Sequence, residues 1–476
     1  MANLKFLSPH GSFFANGVAA LVLFLTVGVY STITALGAAG GKPTSNDMNH
    51  ITSSALYATF TVTGYFGGTV TNLIGPKYQL AFGAFGYPFY VSSLWYYYKK
   101  SVMAYPIVGG VVLGLCAGQL WSASCYVFLF YAEEHRKGLY YGIQKTMIAF
   151  GNFISSCIVL GINYHKSKAG GVPTAIFAVF FVLDMLGVAV AFLLKNPKDI
   201  IRSSGERLAK FKVQGTMESI KGTLLLTKKP QTLFTLMPLI VAEFPLVLQP
   251  TISSYFLNLR SRSVVSVIVA ALNMVFASAL SQVLDLKYVT RPTRAKIGFA
   301  IVACFVIGGY MGEGIWLYHT LPSTQPESVP AYDFTSSSFG GFMICYILLS
   351  CSTIIYPVYL GWLVGTYSND PTITSYYAGF IRSMSACGAA IAFGMAAANT
   401  ISIRKQYIIH CSVSIFSLIP LLYCAVKYVT ETNYGKEENV IIPEHWVKAL
   451  GVEAEGDVSP DTASMVQVEM SNEEKA

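Results

Sequence analysis

The chain has 476 residues, of which 53% are hydrophobic and only 12% charged. A soluble protein carries about 25% charged residues, so this composition excludes an ordinary soluble enzyme and indicates a polytopic membrane protein. The net charge of +8 is uneven: eleven acids and three lysines lie from Glu431 onward, which leaves the positive excess beside apolar segments, where it bears on orientation and lipid headgroups rather than nucleic acid.

Twelve apolar runs are expected to cross the bilayer, at 14–39, 51–74, 78–98, 104–131, 139–164, 173–195, 232–257, 264–286, 295–318, 339–365, 373–400 and 407–429. A crossing needs about 20 helical residues. The first run follows Lys5 and ends on Ala38-Ala39-Gly40, as a secretory leader would, but its apolar stretch is long for one and a retained anchor is expected. The second ends in Gly68-Thr-Val-Thr-Asn72-Leu-Ile-Gly75-Pro76-Lys77, expected as a loop. Trp95 to Lys100 closes the third as an aromatic belt with snorkelling lysines. Gly110, Gly114 and Gly118 in the fourth run, and Ala386, Ala390, Gly394 and Ala398 in the eleventh, form small-residue ridges for close helix packing.

The fifth run holds the most telling stretch, Gly138 to Ser156. Tyr141, Lys145, Asn152 and Ser156 share one helical face there. A charge near mid-bilayer costs about 2.5–3.5 kcal/mol on insertion scales, so it faces a protein interior or a watery cavity. The layout returns around Arg382. Tyrosines precede each cation (Tyr140-Tyr141, Tyr376-Tyr377), and Met147 and Gly151 after Lys145 match Met384 and Gly388 after Arg382. Two such helices suggest a duplicated bundle. The domains expected are a six-helix bundle over 1–195, a basic cytoplasmic linker over 196–231, a second six-helix bundle over 232–429 and an acidic, disordered tail over 430–476.

The linker's Met217, Ile220 and Leu224 recur at helical spacing, so it is either a short amphipathic helix on the membrane surface or a solvated connection. Nine Lys and Arg lie from Lys195 to Lys229, and this loop decides the orientation: both termini are expected in the cytoplasm. Pro443 to Leu450 is expected to form one or two helical turns. All nine cysteines fall within predicted spans, which argues against a disulfide framework or a metal site.

Besides Lys145 and Arg382, Asp184 and Glu243 lie well inside spans. Glu243 stands between Pro238 and Pro245, with Pro250 following, in a helix free to bend. It is a candidate proton carrier or the partner of a static ion pair with Lys145 or Arg382. Asp184 reads as structural and Glu313 as interfacial. Trp121, Gln119 and Asn273 are weaker candidates, and Tyr356, Pro357 and Tyr359 read as core or as ligand-facing. Nucleophile elbow, Walker loop and Gly-rich dinucleotide turn are all missing, so no enzyme, catalytic residue or cofactor is expected.

Gly68, Asn72, Gly75 and Lys77 resemble the gating-loop motif between the second and third helices of the major facilitator superfamily. Asn72 replaces its usual acid and Leu73 its usual basic residue. Ser281-xxx-Asp285-x-Lys287 is the weaker match in the second half. Gly75-Pro76-Lys77-Tyr78, Gly114-xx-Ala117-Gly118-Gln119-Leu120-Trp121-Ser122 and Gly151-Asn152 resemble the Unc-ninety-three-like, ion-channel-regulatory branch, particularly its fungal members. The resemblance implies an all-α protein of twelve transmembrane helices in two pseudo-symmetric bundles about a central cavity. It leaves two functions open. One is a secondary transporter of a small molecule or ion by alternating access, with proton coupling. The other is a non-transporting regulator that binds a channel or trafficking partner.

Overall fold

The structure is a computed structural model and describes residues 8–28, 30, 45–164, 174–201, 207–209, 215–320, 333–337, 339–398, 401–437, 439–443, 447, 453–455 and 467–469. Its helices are α1 (Ser12–Leu23), α2 (Ser45–Tyr65), α3 (Gly67–Lys100), α4 (Ala104–Tyr126), α5 (Lys137–Asn163), α6 (Thr174–Ala191), α7 (Thr216–Thr227), α8 (Pro230–Val241), α9 (Phe244–Phe256), α10 (Leu259–Leu284), α11 (Arg291–Thr320), α12 (Phe339–Gly365), α13 (Pro371–Ala397), α14 (Ile403–Phe416) and α15 (Leu418–Lys427). Wider π-helical turns extend α1 over Phe24–Gly28 and α4 over Val127–Tyr131. The described residues include one strand pair, β1 (Glu453–Glu455) with β2 (Gln467–Glu469), inside the tail expected to be disordered. Of Pro443 to Leu450 only part is described, and there the Val447 N–H donates to the Pro443 carbonyl one turn back.

Eight helical stretches among the described residues are long and apolar enough to cross a membrane: Ala104–Tyr131, Glu134–Gly161, Pro230–Ser254, Leu259–Leu284, Arg291–His319, Phe339–Gly365, Pro371–Ala397 and Ile403–Lys427. Ser12–Gly28 and Phe177–Ala191 are shorter apolar helices. All nine cysteines are free.

Three breaks shape the helices. The stretch expected as a loop at 68–77 is helical on both sides, and the chain bends only at Gly75, with φ 79° and ψ 156°. That left-handed conformation suits glycine, and Pro76 restarts the helix with its preset φ. The helix expected at 232–257 divides into α8 and α9 at Ala242-Glu243. Pro245 has no N–H to give the carbonyl four residues back, so the ladder fails there. Pro420 acts likewise between α14 and α15.

The two halves of the chain meet along two seams, where α2 and the start of α3 pack on α13, and α5 packs on α10. Glycines make both possible. A Cβ on Gly68 would collide with Ser375, one on Gly379 would lie 2.8 Å from the Gly64 carbonyl oxygen, and one on Gly138 would lie 2.8 Å from the Ser281 carbonyl oxygen. A Cβ on Gly142 would collide with the Ser281 side chain. Such contacts bring backbones together and bury surface that lipid would otherwise cover.

The linker forms α7 and is tied to the protein. Thr223, Ser219 and Thr227 hydroxyls bond to Thr69, Asn72 and Tyr65. The face buried is thus Ser219, Thr223 and Leu226, while Met217 and Leu224 of the expected stripe are exposed.

Candidate functional site

A cavity of about 190 Å³ lies between the halves. It gathers residues from distant parts of the chain: Trp121 of α4, Lys145 and Asn152 of α5, Glu243 at the α8–α9 break, Asn273 of α10 and Arg382 of α13. Helical periodicity explains α5, since Tyr141, Lys145, Ile148, Ala149 and Asn152 all turn inward.

The cations share two aromatic faces. The Arg382 guanidinium carbon is 4.7 Å from the Trp121 ring centre and 5.4 Å from that of Tyr141. Lys145 Nζ is 5.5 Å from Trp121 and 5.6 Å from Tyr141. Tyr141 is held flat against Phe128, with ring centres 4.0 Å apart, and its hydroxyl accepts a bond from Arg382 Nη2 at 3.2 Å. Cation–π contacts supply roughly 0.5–2 kcal/mol each without neutralising the charge. Glu243 lies within electrostatic reach of both cations, yet among the described residues it forms no ion pair with either. Arg382 Nε, Asn152 Oδ1 and Asn273 Oδ1 are buried without a hydrogen-bond partner. Such atoms cost about 1–3 kcal/mol each, and here they face or border the cavity.

Other expected residues lie elsewhere. Asp184 on α6 is fully buried, and both its carboxyl oxygens lack partners, but it does not line the cavity. Gln119 is a packing residue: it donates to the Thr63 carbonyl and accepts from Gln79. The Tyr356 and Tyr359 hydroxyls are committed to Ser417 and to the Ala295 carbonyl, and neither residue lines the cavity. Glu313, read as interfacial, is fully buried. Gly68, Asn72, Gly75 and Lys77 sit at the end of the protein where α7 packs, the linker end. Asn72 donates to Ser219 Oγ at 3.4 Å, and Lys77 lies over the Tyr78 ring. Asp285, just beyond α10, accepts from the N–H groups of Gly138 and Leu139 at the start of α5, at 3.0 and 2.5 Å.

Sequence reasoning missed a second constellation at the linker end. Glu134 pairs with Arg291 at 3.0 Å, and both are almost wholly buried. Glu134 also accepts from Asn369 Nδ2, the Asn433 N–H and Thr432 Oγ1. Lys137 donates to the carbonyls of Gly365 and Ser368 and to Asn369 Oδ1. Glu437 accepts from Ser368 Oγ and the Asn369 N–H. This latch joins the α4–α5 connection, the α12–α13 connection, the start of α11 and the strand of chain after α15. A cluster of charges around Glu134 was visible, but its partners lie more than one hundred and fifty positions away.

The model of a family described as ion channel regulatory protein UNC-93 matches residues 47–246. An uncharacterized membrane protein of Schizosaccharomyces pombe is 31% identical over 438 residues, 91% of this chain and 87% of that one. UNC93-like protein 1 of Arabidopsis thaliana is 27% identical over 421 residues, 88% of this chain and 90% of its own. Among solved structures, the E. coli fucose:proton symporter FucP aligns with a TM-score of 0.60 at 11% identity, covering 87% of this chain and 99% of that one. The proton:xylose symporter XylE of the major facilitator superfamily aligns with a TM-score of 0.60 at 14% identity, covering 88% and 96%. Those identities carry the fold and nothing finer. With the family model and the relatives in agreement, the chain belongs to the UNC-93-like family, and its fold is that of the major facilitator superfamily transporters.

Proposed function

We propose that the protein is a secondary transporter of a small solute, working by alternating access. It has twelve spans in two six-helix bundles, 1–195 and 232–429, joined by the linker 196–231, with both termini in the cytoplasm. The observation that carries this reading is the cavity between the halves, where Lys145 and Arg382 stand on one tryptophan without a paired carboxylate. Two cations and Glu243 leave one formal positive charge, so a small anion is the solute class the site suits. The bent segment at Glu243 supplies a helix that can rearrange, and Glu243 couples that movement to protons. The latch and the Asp285 contact close the linker end, so the cavity opens to that side only when both part.

The repeat supports the two-bundle reading. Gly68 meets Ser375 in one seam, and Ser281 meets Gly138 in the other; the partners 138 and 375 are separated by the same offset as Lys145 and Arg382. Gly151 packs against Gly28 of the first helix, and Gly388 against Ile240 of α8.

The test is uptake by the full chain in proteoliposomes across a panel of small anions and neutral solutes. We expect uptake of an anion, driven by a pH gradient, to fall at least ten-fold in Arg382→Ala and in Lys145→Ala. Glu243→Gln should abolish the drive by pH and retain exchange. Exchange and pH-driven uptake unchanged in all three would refute the site. The family's description favours a second reading, a non-transporting channel regulator. Recovery of a stoichiometric channel partner from membranes, with no flux of any solute, would select it.

A further inference from the structure

Glu313 lies inside the second half, on α11, with no exposed surface. Its Oε2 accepts from Gln249 Nε2 at 2.8 Å, and its Oε1 has no hydrogen-bond partner. Gln249 Oε1 accepts in turn from Ser350 Oγ at 3.1 Å. A carboxyl on α11, an amide on α9 and a hydroxyl on α12 thus form one buried chain. The other titratable groups facing Glu313 are Tyr310 on its own helix, Cys345 and Tyr346 on α12, and Tyr407 on α14. All are neutral at ordinary pH. Arg262 reaches only as far as Tyr346 and is bonded to the Leu257 and Ser254 carbonyls. His410 stacks on Phe244. No cation pairs with Glu313 among the described residues. A buried carboxylate without a cation keeps its charge only while water or further donors reach it; bearing a proton, it needs neither.

Two cavities flank this chain. About one turn from Gln249 and Ser350, Leu246 and Thr353 line the central cavity. On the other side a second cavity, of about 370 Å³, lies between α11 and α14, toward the end of the protein away from the latch. Gly314, the neighbour of Glu313, lines it together with Tyr407 and Cys411. Tyr407 stands between that cavity and Glu313, its hydroxyl donating to the Tyr310 carbonyl and its ring against Gly314.

We propose that Glu313 is a proton-binding site, filled from the second cavity past Tyr407 and emptied toward the central cavity along Gln249 and Ser350. On filling, an O–H bond forms at Oε1 with a proton taken from water on the outer side. On emptying, that bond breaks and the proton passes to water in the central cavity, leaving a carboxylate that Gln249 and newly admitted water must solvate. Gln249 rides on α9, beyond the Glu243 break, so loss of the proton acts on the segment free to move. The direction of this traffic rests on the alternating-access reading; the existence of the site does not.

The experiment is infrared spectroscopy of the full chain in lipid bilayers, as wild-type minus Glu313→Gln difference spectra from about pH 5 to about pH 9. We expect a neutral carboxylic acid C=O band at low pH that gives way to carboxylate bands as pH rises. A Gln249→Leu variant should shift that C=O frequency, because the acid loses its one donor. A difference spectrum showing acid at every pH, or carboxylate at every pH, overturns the proposal. If Glu313→Gln does not assemble, the Gln249→Leu comparison decides alone: a shifted, titrating acid band supports the site, and an unchanged spectrum overturns it. No solute is needed, so failure of uptake would defeat the transport reading and leave this site standing, and the reverse.

Discussion

Lys145 and Arg382 were legible because a charge inside an apolar run has few places to go. Their shared stack on Trp121 was not, since sequence gives no depth between helices. Glu313 was misread for the same reason: its place near the end of a span suggested water, whereas neighbouring helices cover it completely. His410, inside the run expected at 407–429, is buried against Phe244. Single glycines are the sharpest test of packing at this scale. A Cβ at Gly388 would collide with the Ile240 carbonyl, which is backbone and cannot rotate away, whereas at Gly394 nothing lies within 4 Å. Gly388→Ala should therefore destabilise by about 1–3 kcal/mol or more, and Gly394→Ala should be neutral or stabilising by up to about 1 kcal/mol. Thermal unfolding midpoints in detergent decide this, and equal midpoints would show that α13 and α8 do not approach as described.

Helix positions were read well where apolar runs were uninterrupted, as at Phe339–Gly365, and poorly where the backbone bends. The stretch before Lys77 reads as a loop because it is rich in glycine, yet only Gly75 leaves the helical region. The second-half motif, weak in sequence, makes the more direct contact. Asp285 caps the start of α5 across the seam, while Asn72 in the corresponding first-half motif reaches Ser219 of α7. Burial pushes the Asp285 carboxyl up to about 7, against the pull of the Leu139 and Gly138 N–H groups and of Arg294. Released into water it would return to the ordinary range near 4. The closed contact therefore binds a proton more tightly than the open one. Closure gains from the proton at low pH, and the gain is lost as pH rises through about 4 to about 7. A cysteine placed at the linker end should label faster as pH rises over that window, and Asp285→Asn should flatten the dependence. An unaltered pH profile in Asp285→Asn would show that this contact does not govern closure.

The latch could not be read from the sequence because its members look like ordinary connection residues, and only folding brings 134, 291, 369, 433 and 437 together. Removing one partner of a buried ion pair costs about 3–5 kcal/mol, mostly because the other charge is left unpaired. Glu134→Gln and Arg291→Gln should each lower the unfolding midpoint and raise labelling at the linker end, and the double variant should cost less than the two combined. Strict additivity would show that the pair does not act as a unit. The latch also fixes an order of events in the cell. Glu134 is completed by Thr432 and Asn433, and Asn369 by Glu437, so the ribosome must translate past these positions before the latch can form. While its earlier helices enter the bilayer, the nascent protein lacks these contacts, and the latch is completed only once position 437 has been synthesised.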